Sequence, residues 1–117
     1  VEPIDEPLSG PRVRAVGSRT IVVEIPLRGS LEGLDYYRLT KPDGISINLP
    51  RKPSIIRYGK HRIGRLGIRR IRIREFKRGA QVRVVAYRPF NTYEVTARTG
   101  LIRVTIRASR RIRDNEQ

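Results

Sequence analysis

The sequence predicts an all-β fold: a sandwich of two similar small sheets built on an internal repeat and low in helix. The repeat is the first observation. Tyr37-Arg-Leu-Thr40, three residues, then Gly44-Ile-Ser-Ile-Asn-Leu49 is answered by Tyr93-Glu-Val-Thr96, three residues, then Gly100-Leu-Ile-Arg-Val-Thr-Ile106. Each copy follows another apolar run, at residues 20–25 and 81–86, so the repeated unit holds several strands. A unit this short cannot bury its apolar face alone, and two copies folding face to face solve that problem. The second observation is that no segment sustains a period near 3.6, whereas alternation with a period of two recurs. The third is size: 117 residues, 38% hydrophobic with ten glycines, suffice for one domain with one core.

Residues 1–11 hold three of the eight prolines and three acids, the composition of a flexible lead-in. The sandwich is expected over residues 12–107, and residues 108–117 form a basic tail containing Arg110-Arg-Ile-Arg113. In the first copy, strands are expected at residues 12–16, 20–26, 36–40 and 44–49. Gly17-Ser18 joins the first two and Lys41-Pro-Asp-Gly44 the last two. In that turn Pro42 presets the backbone and Gly44 supplies a positive φ. Residues 50–67, with Pro50, Pro53, Gly59, Gly64 and Gly67, read as a loop bridging the copies around the apolar knot Ser54-Ile-Ile-Arg-Tyr58. Strands resume at residues 68–76, 81–87, 92–97 and 101–107.

The chain carries 26 basic and 11 acidic residues, a net +15, and 22 of the basic residues are Arg. A field of this size draws polyanions of many kinds, and guanidinium groups favour planar carboxylates and phosphates. Cysteine is absent, which excludes disulfides, thiolate metal sites and a cysteine nucleophile. His61 is the single histidine and has no partner for a zinc site. Glu24, Glu75 and Glu94 lie on separate expected strands, and no hydrolase or P-loop motif occurs, so the chain is expected not to be an enzyme and to need no cofactor. An adjacent Glu75 and Glu94 in one cleft would reverse that expectation. No apolar stretch is long enough to span a membrane. The chain opens on Val rather than Met, which points to a processed form or a piece of a longer protein.

The chemically richest stretch is Ile68-Arg-Arg-Ile-Arg-Ile-Arg-Glu-Phe76. Ile71 and Ile73 alternate with Arg70, Arg72 and Arg74, giving a strand with an apolar face and an arginine face. A two-residue hairpin with Arg78-Gly79 at its tip sets Arg74 opposite Arg83, Arg72 opposite Val85 and Arg70 opposite Tyr87. One outer surface then gathers Arg70, Arg72, Arg74, Arg83, Tyr87 and Phe76. Like charges across a hairpin cost something, which a ligand would justify. The plain alternative is a solvated face in an arginine-rich protein, with Arg72 and Arg83 bridged to Glu75 or Glu94. A second basic surface is expected on the bridging loop, from Arg51, Lys52, Arg57, Lys60, Arg62 and Arg65.

Two segments carry a resemblance to a known family. One is Ile71-Arg-Ile-Arg-Glu-Phe76 leading by a short loop to Gln81-Val-Arg-Val-Val85, and the other is the earlier strand Ile45-Ser-Ile-Asn-Leu49 closed by Pro50. In these the chain resembles the AMIN domain of bacterial cell-envelope proteins over residues 12–107. Asn48 and Ala86 stand where members of that family often carry Asp. The resemblance implies a non-catalytic β-sandwich that binds peptidoglycan and localises its parent protein in the periplasm, beside an amidase domain or a type IV pilus secretin. Arg72 and Arg83 occupy family-pattern positions, with Arg70, Arg74 and Tyr87 beside them. Peptidoglycan stem peptides offer carboxylates for guanidinium groups, and the sugar faces suit tyrosine rings. Two other readings stand beside it: a basic β domain that binds nucleic acid, and a module that docks envelope proteins through a sheet edge.

Overall fold

The computed structural model describes residues 9–98 and 100–112 and contains ten strands and no helix among them. In chain order these are β1 (Arg12–Val16), β2 (Thr20–Arg28), β3 (Asp35–Thr40), β4 (Asp43–Leu49), β5 (Ile55–Ile56), β6 (Gly59–Arg65), β7 (Ile68–Glu75), β8 (Ala80–Ala86), β9 (Phe90–Arg98) and β10 (Leu101–Ala108). Sheet I runs β1-β2-β10-β9, with the short β5 pairing the far end of β2, and sheet II runs β3-β4-β8-β7-β6. All the pairings are antiparallel. The fold is thus the two-sheet sandwich that the alternating pattern predicts.

The repeat enters the fold in a way the sequence does not dictate. Instead of each copy forming one layer, each divides its two hairpins between layers. The first copy gives β1-β2 to sheet I and β3-β4 to sheet II; the second gives β7-β8 to sheet II and β9-β10 to sheet I. The central pair of each sheet, β2 with β10 and β4 with β8, therefore joins one copy to the other. Neither copy can complete a sheet by itself.

The core lies between the layers and follows the period of two strand by strand. Ile21, Val23, Ile25 and Leu27 on β2 and Ile102, Val104 and Ile106 on β10 face Ile45, Ile47 and Leu49 on β4, Ile71 and Ile73 on β7, and Val82 and Val84 on β8. Truncating a side chain this well enclosed removes its transfer energy and leaves a cavity. Ile25→Ala is expected to cost about 3 kcal/mol of stability, read as a lower urea midpoint at unchanged slope. At the sheets' open side Arg38 of β3 reaches across the layers. Its guanidinium lies 4.2 Å from the Phe90 ring centroid and donates to the Phe90 and Asn91 carbonyls.

Three sequence expectations are corrected. Residues 50–67 are not one loop: β6 pairs with β7 along its length and forms the edge of sheet II. Gly44 does not take a positive φ. The turn is the dipeptide Lys41-Pro42, joined by a cis peptide bond, and Gly44 already lies in β4 opposite Val85. The tip of the β7-β8 hairpin is Lys77-Arg78, closed by the Phe76 amide donating to the Gly79 carbonyl at 2.8 Å, rather than Arg78-Gly79. The expected basic tail is partly folded as well. The Ile112 amide donates to Ser18 O at 2.7 Å and the side chain packs on the core; Arg113 and the residues after it lie outside the described residues, as do residues 1–8 of the lead-in.

Candidate anion-binding face

The β7-β8 hairpin is two residues out of the predicted register, and a shift of two keeps every side chain on its own face. Arg72 stands directly opposite Arg83, Arg74 opposite Gln81 and Arg70 opposite Val85. The arginine cluster survives with different cross-strand partners. Neighbouring strands extend it into rows across the outer face of sheet II. One row reads Lys60, Arg72, Arg83, Ser46, Tyr37 from β6 to β3, and the next reads Arg62, Arg70, Val85, Gly44, Leu39.

A bulge widens the cluster. Ile68 pairs with Ala86 and Arg70 with Val85, leaving Arg69 as the extra residue. The added residue lets Ile68 and Ile71 both point into the core, so Arg69 and Arg70 are both turned outward. Tyr87 lies just past β8, its amide donating to Gly67 O at 3.0 Å, and it lines a shallow cleft with Lys60, Arg62, Gly64, Arg69 and Arg70. Arg69 escaped the sequence reading because strict alternation assigns it to the core face. Arg74 lies farther out, its guanidinium 5.6 Å from the exposed Phe76 ring.

The expected second surface divides. Lys60 and Arg62 belong to β6 and merge with the main cluster, whereas Arg51 pairs with Glu32 at 3.7 Å and Lys52 with Glu75 at 3.1 Å. Arg57 and Arg65 are engaged in contacts of their own, and Arg65 lies with Arg12, Arg14 and Glu24 along the β1-β6 side. His61 Nε2 donates to Arg57 O at 2.9 Å, in the tautomer that carries its proton on Nε2.

The electrostatics of the two outer faces differ. On sheet I, Glu24 is clamped between Arg14 at 3.7 Å and Arg103 at 3.1 Å, with its side chain only 13% exposed. On sheet II, none of Arg70, Arg72 and Arg83 is bridged to Glu75, which pairs with Lys52, or to Glu94, which lies on β9 of the other sheet. Asn48, a position where the family resemblance would often place a carboxylate, is neutral and accepts from Gln81 Nε2 at 3.2 Å. Arg70 Nε and Arg83 Nε are buried with no hydrogen-bond partner among the described residues, and so is the Oγ of Ser46, whose residue is 0% exposed. Ser46 and Val85 are buried although they face outward, so longer neighbours cover this surface.

A buried donor left unsatisfied costs about 1–3 kcal/mol, and more if it is charged. The unbridged guanidinium groups of Arg70, Arg72 and Arg83, gathered on one face, are matched chemically to oxyanions. Exposed rings stand at the margins, Tyr37 on β3, Tyr58 before β6 and Phe76 at the hairpin end. Burial, and after it the Glu75 carboxylate, pushes the Tyr58 phenol above its ordinary value of about 10, while Lys52 opposes the shift. A raised phenol favours the neutral form in the fold. Its contribution is complete below the unfolded value and is lost as pH rises through the folded one. In an absorbance titration at 295 nm, Tyr58→Phe is expected to delete a late-ionising phenol, and Glu75→Gln to move it back down.

No protein-family model, curated protein or solved structure matches the chain. Among the described residues no group of three or more His, Cys, Asp or Glu is placed to hold a metal ion, and no helix is long and apolar enough to cross a membrane.

Proposed function

We propose that this domain is a non-catalytic module that binds peptidoglycan through the outer face of sheet II and so localises a larger protein in the bacterial periplasm. The observation that carries the reading is the cluster of Arg70, Arg72 and Arg83 on one outer face, none of them bridged to Glu75 or Glu94. Guanidinium groups held by strands are pre-organised, so they order little on binding and suit the forked geometry of a stem-peptide carboxylate. Exposed Tyr37 on β3 and Tyr58 before β6 stand at opposite edges of sheet II, each a ring against which a sugar can lie. The resemblance to AMIN domains in the Ile71–Val85 hairpin and the Ile45–Pro50 strand supports the same assignment, and a sandwich of two similar sheets suits it. Docking to other envelope proteins through a sheet edge is compatible with this role.

Nucleic acid is the second reading, favoured by the net charge of +15 and by the nearby rings. Against it, Tyr87 is the one ring among the described residues lining the basic cleft, whereas a single strand is held by a series of rings on which successive bases stack. The deciding experiment is co-sedimentation of the protein with intact sacculi over a salt series, with excess duplex and single-stranded DNA as competitor. Retention at physiological salt in the presence of DNA is expected. Transfer to the DNA, with the steep salt dependence of counterion release, would overturn the assignment.

A further inference from the structure

At the end of the sandwich where β2 begins and β10 finishes, the two layers part around a cavity of about 320 Å³. Its floor is apolar: Ile21, Ile68, Phe90 and Ile106, all buried. Its lid is the segment after β10. Ala108 N donates to Arg19 O and Ile112 N to Ser18 O, both at 2.7 Å, and Ser109 Oγ donates to Pro89 O at 3.4 Å. This segment is therefore strapped across the mouth between the β1-β2 turn and the β8-β9 connection. It brings Arg110 and Arg111 to the rim with Arg88, and none of the described lining residues is acidic.

An isoleucine-lined cavity of this size lies within the range of ligand sites, and apolar cavities take up apolar guests. The rim adds a second requirement. Two exposed arginines at the rim, Arg110 and Arg111, with no acid among the described lining residues, favour a guest with one anionic end over a neutral hydrocarbon.

We propose that this cavity binds a single-chain amphiphile with an anionic head, its alkyl chain among Ile21, Ile68, Ile106 and Ile112 and its head at Arg110 and Arg111. The site shares Tyr87 with the cleft beside the arginine face of sheet II, but its floor lies between the layers and its rim arginines, Arg110 and Arg111, are not on that face.

Because the lining is rich in isoleucine, methyl NMR of the full chain labelled at isoleucine δ1 reads the site directly. The probes are octanoate, decanoate and dodecanoate, with decanol as the neutral chain and acetate as the bare head. Decanoate is expected to shift the Ile21, Ile68, Ile106 and Ile112 methyls while leaving Ile45 and Ile47 near β3 in place. Affinity should rise about three- to fourfold per methylene until the cavity is full. Decanol should bind at least tenfold more weakly, acetate should give no shift, and Arg110→Glu/Arg111→Glu should weaken decanoate at least tenfold without changing decanol. Equal binding of decanol and decanoate overturns the anionic head. Unshifted lining methyls, shifts scattered over both sheets, or lining shifts that depend on protein concentration without added ligand overturn the site. Sacculus binding through sheet II is read by sedimentation of the same variants, so failure of one assignment is distinguishable from failure of the other.

Discussion

Gly44→Ala is expected to destabilise the domain by about 3 kcal/mol or more, enough to unfold much of a protein of this size at 37 °C. The cause is not backbone conformation, since Gly44 has no positive φ. A Cβ at this position would fall inside contact distance of the Val84 carbonyl oxygen, with the Val85 Cα also close. The clash is with backbone in the central β4-β8 pair, which joins the two halves of the repeat, so no side-chain rotation relieves it. Gly17→Ala is the contrasting variant. Gly17 has a φ of 75° but nothing within 4 Å of its missing Cβ, so only the left-handed strain is added, about 1 kcal/mol. Urea unfolding of the two variants distinguishes the causes. A Gly17 effect equal to or larger than the Gly44 effect would mean that close strand approach is not what requires glycine at residue 44.

The same feature explains where the sequence was legible and where it was not. Strand positions in both copies were readable because buried β-branched residues alternate with polar ones, as Ile71 and Ile73 do with Arg72 and Arg74. Glycine was the misleading signal. Both Gly44 and Gly79 read as turn residues, yet each lies where a Cβ would strike a carbonyl oxygen of the neighbouring strand, Val84 for the first and Leu49 for the second. Placing Gly79 at the hairpin tip shifted the register by two residues, an even number, so the arginine face was still identified although its cross-strand partners were not.

The edge strand β6 was missed for a different reason. Gly59-Lys-His-Arg-Ile-Gly-Arg65 offers one apolar residue, Ile63, to the core, and the strand is held by its backbone pairing with β7 rather than by alternation. Its omission hid the fact that Lys60 and Arg62 stand beside Arg72 and Arg70. The internal cavity was illegible for a stronger reason: its lining comes from both ends of the chain and from both sheets, a grouping that only the crossed pairing of the repeats creates.

The double variant Arg72→Gln/Arg83→Gln is expected to lose about a hundredfold in sacculus binding while holding or gaining stability. Each guanidinium that meets a carboxylate on a half-exposed face contributes about 1.4 kcal/mol, the low end for a charged hydrogen bond, and two such losses compound to the predicted factor. Stability moves the other way because Arg72 and Arg83 are direct cross-strand neighbours of like charge, with Lys60 next in the row. Relieving that repulsion is expected to raise stability by a few tenths of a kcal/mol, and Gln keeps enough side chain to cover Ser46. The matched control is Arg14→Gln/Arg103→Gln, which removes the same two charges from sheet I. There the arginines clamp Glu24, so the control should lose stability and keep its sacculus binding. Opposite signs of the two effects in the two variants are what a binding face on sheet II requires. If both doubles weaken sacculus binding alike, the net field of the chain does the binding and no arginine face exists as a site. If Arg72→Gln/Arg83→Gln melts the domain, those guanidinium groups are structural.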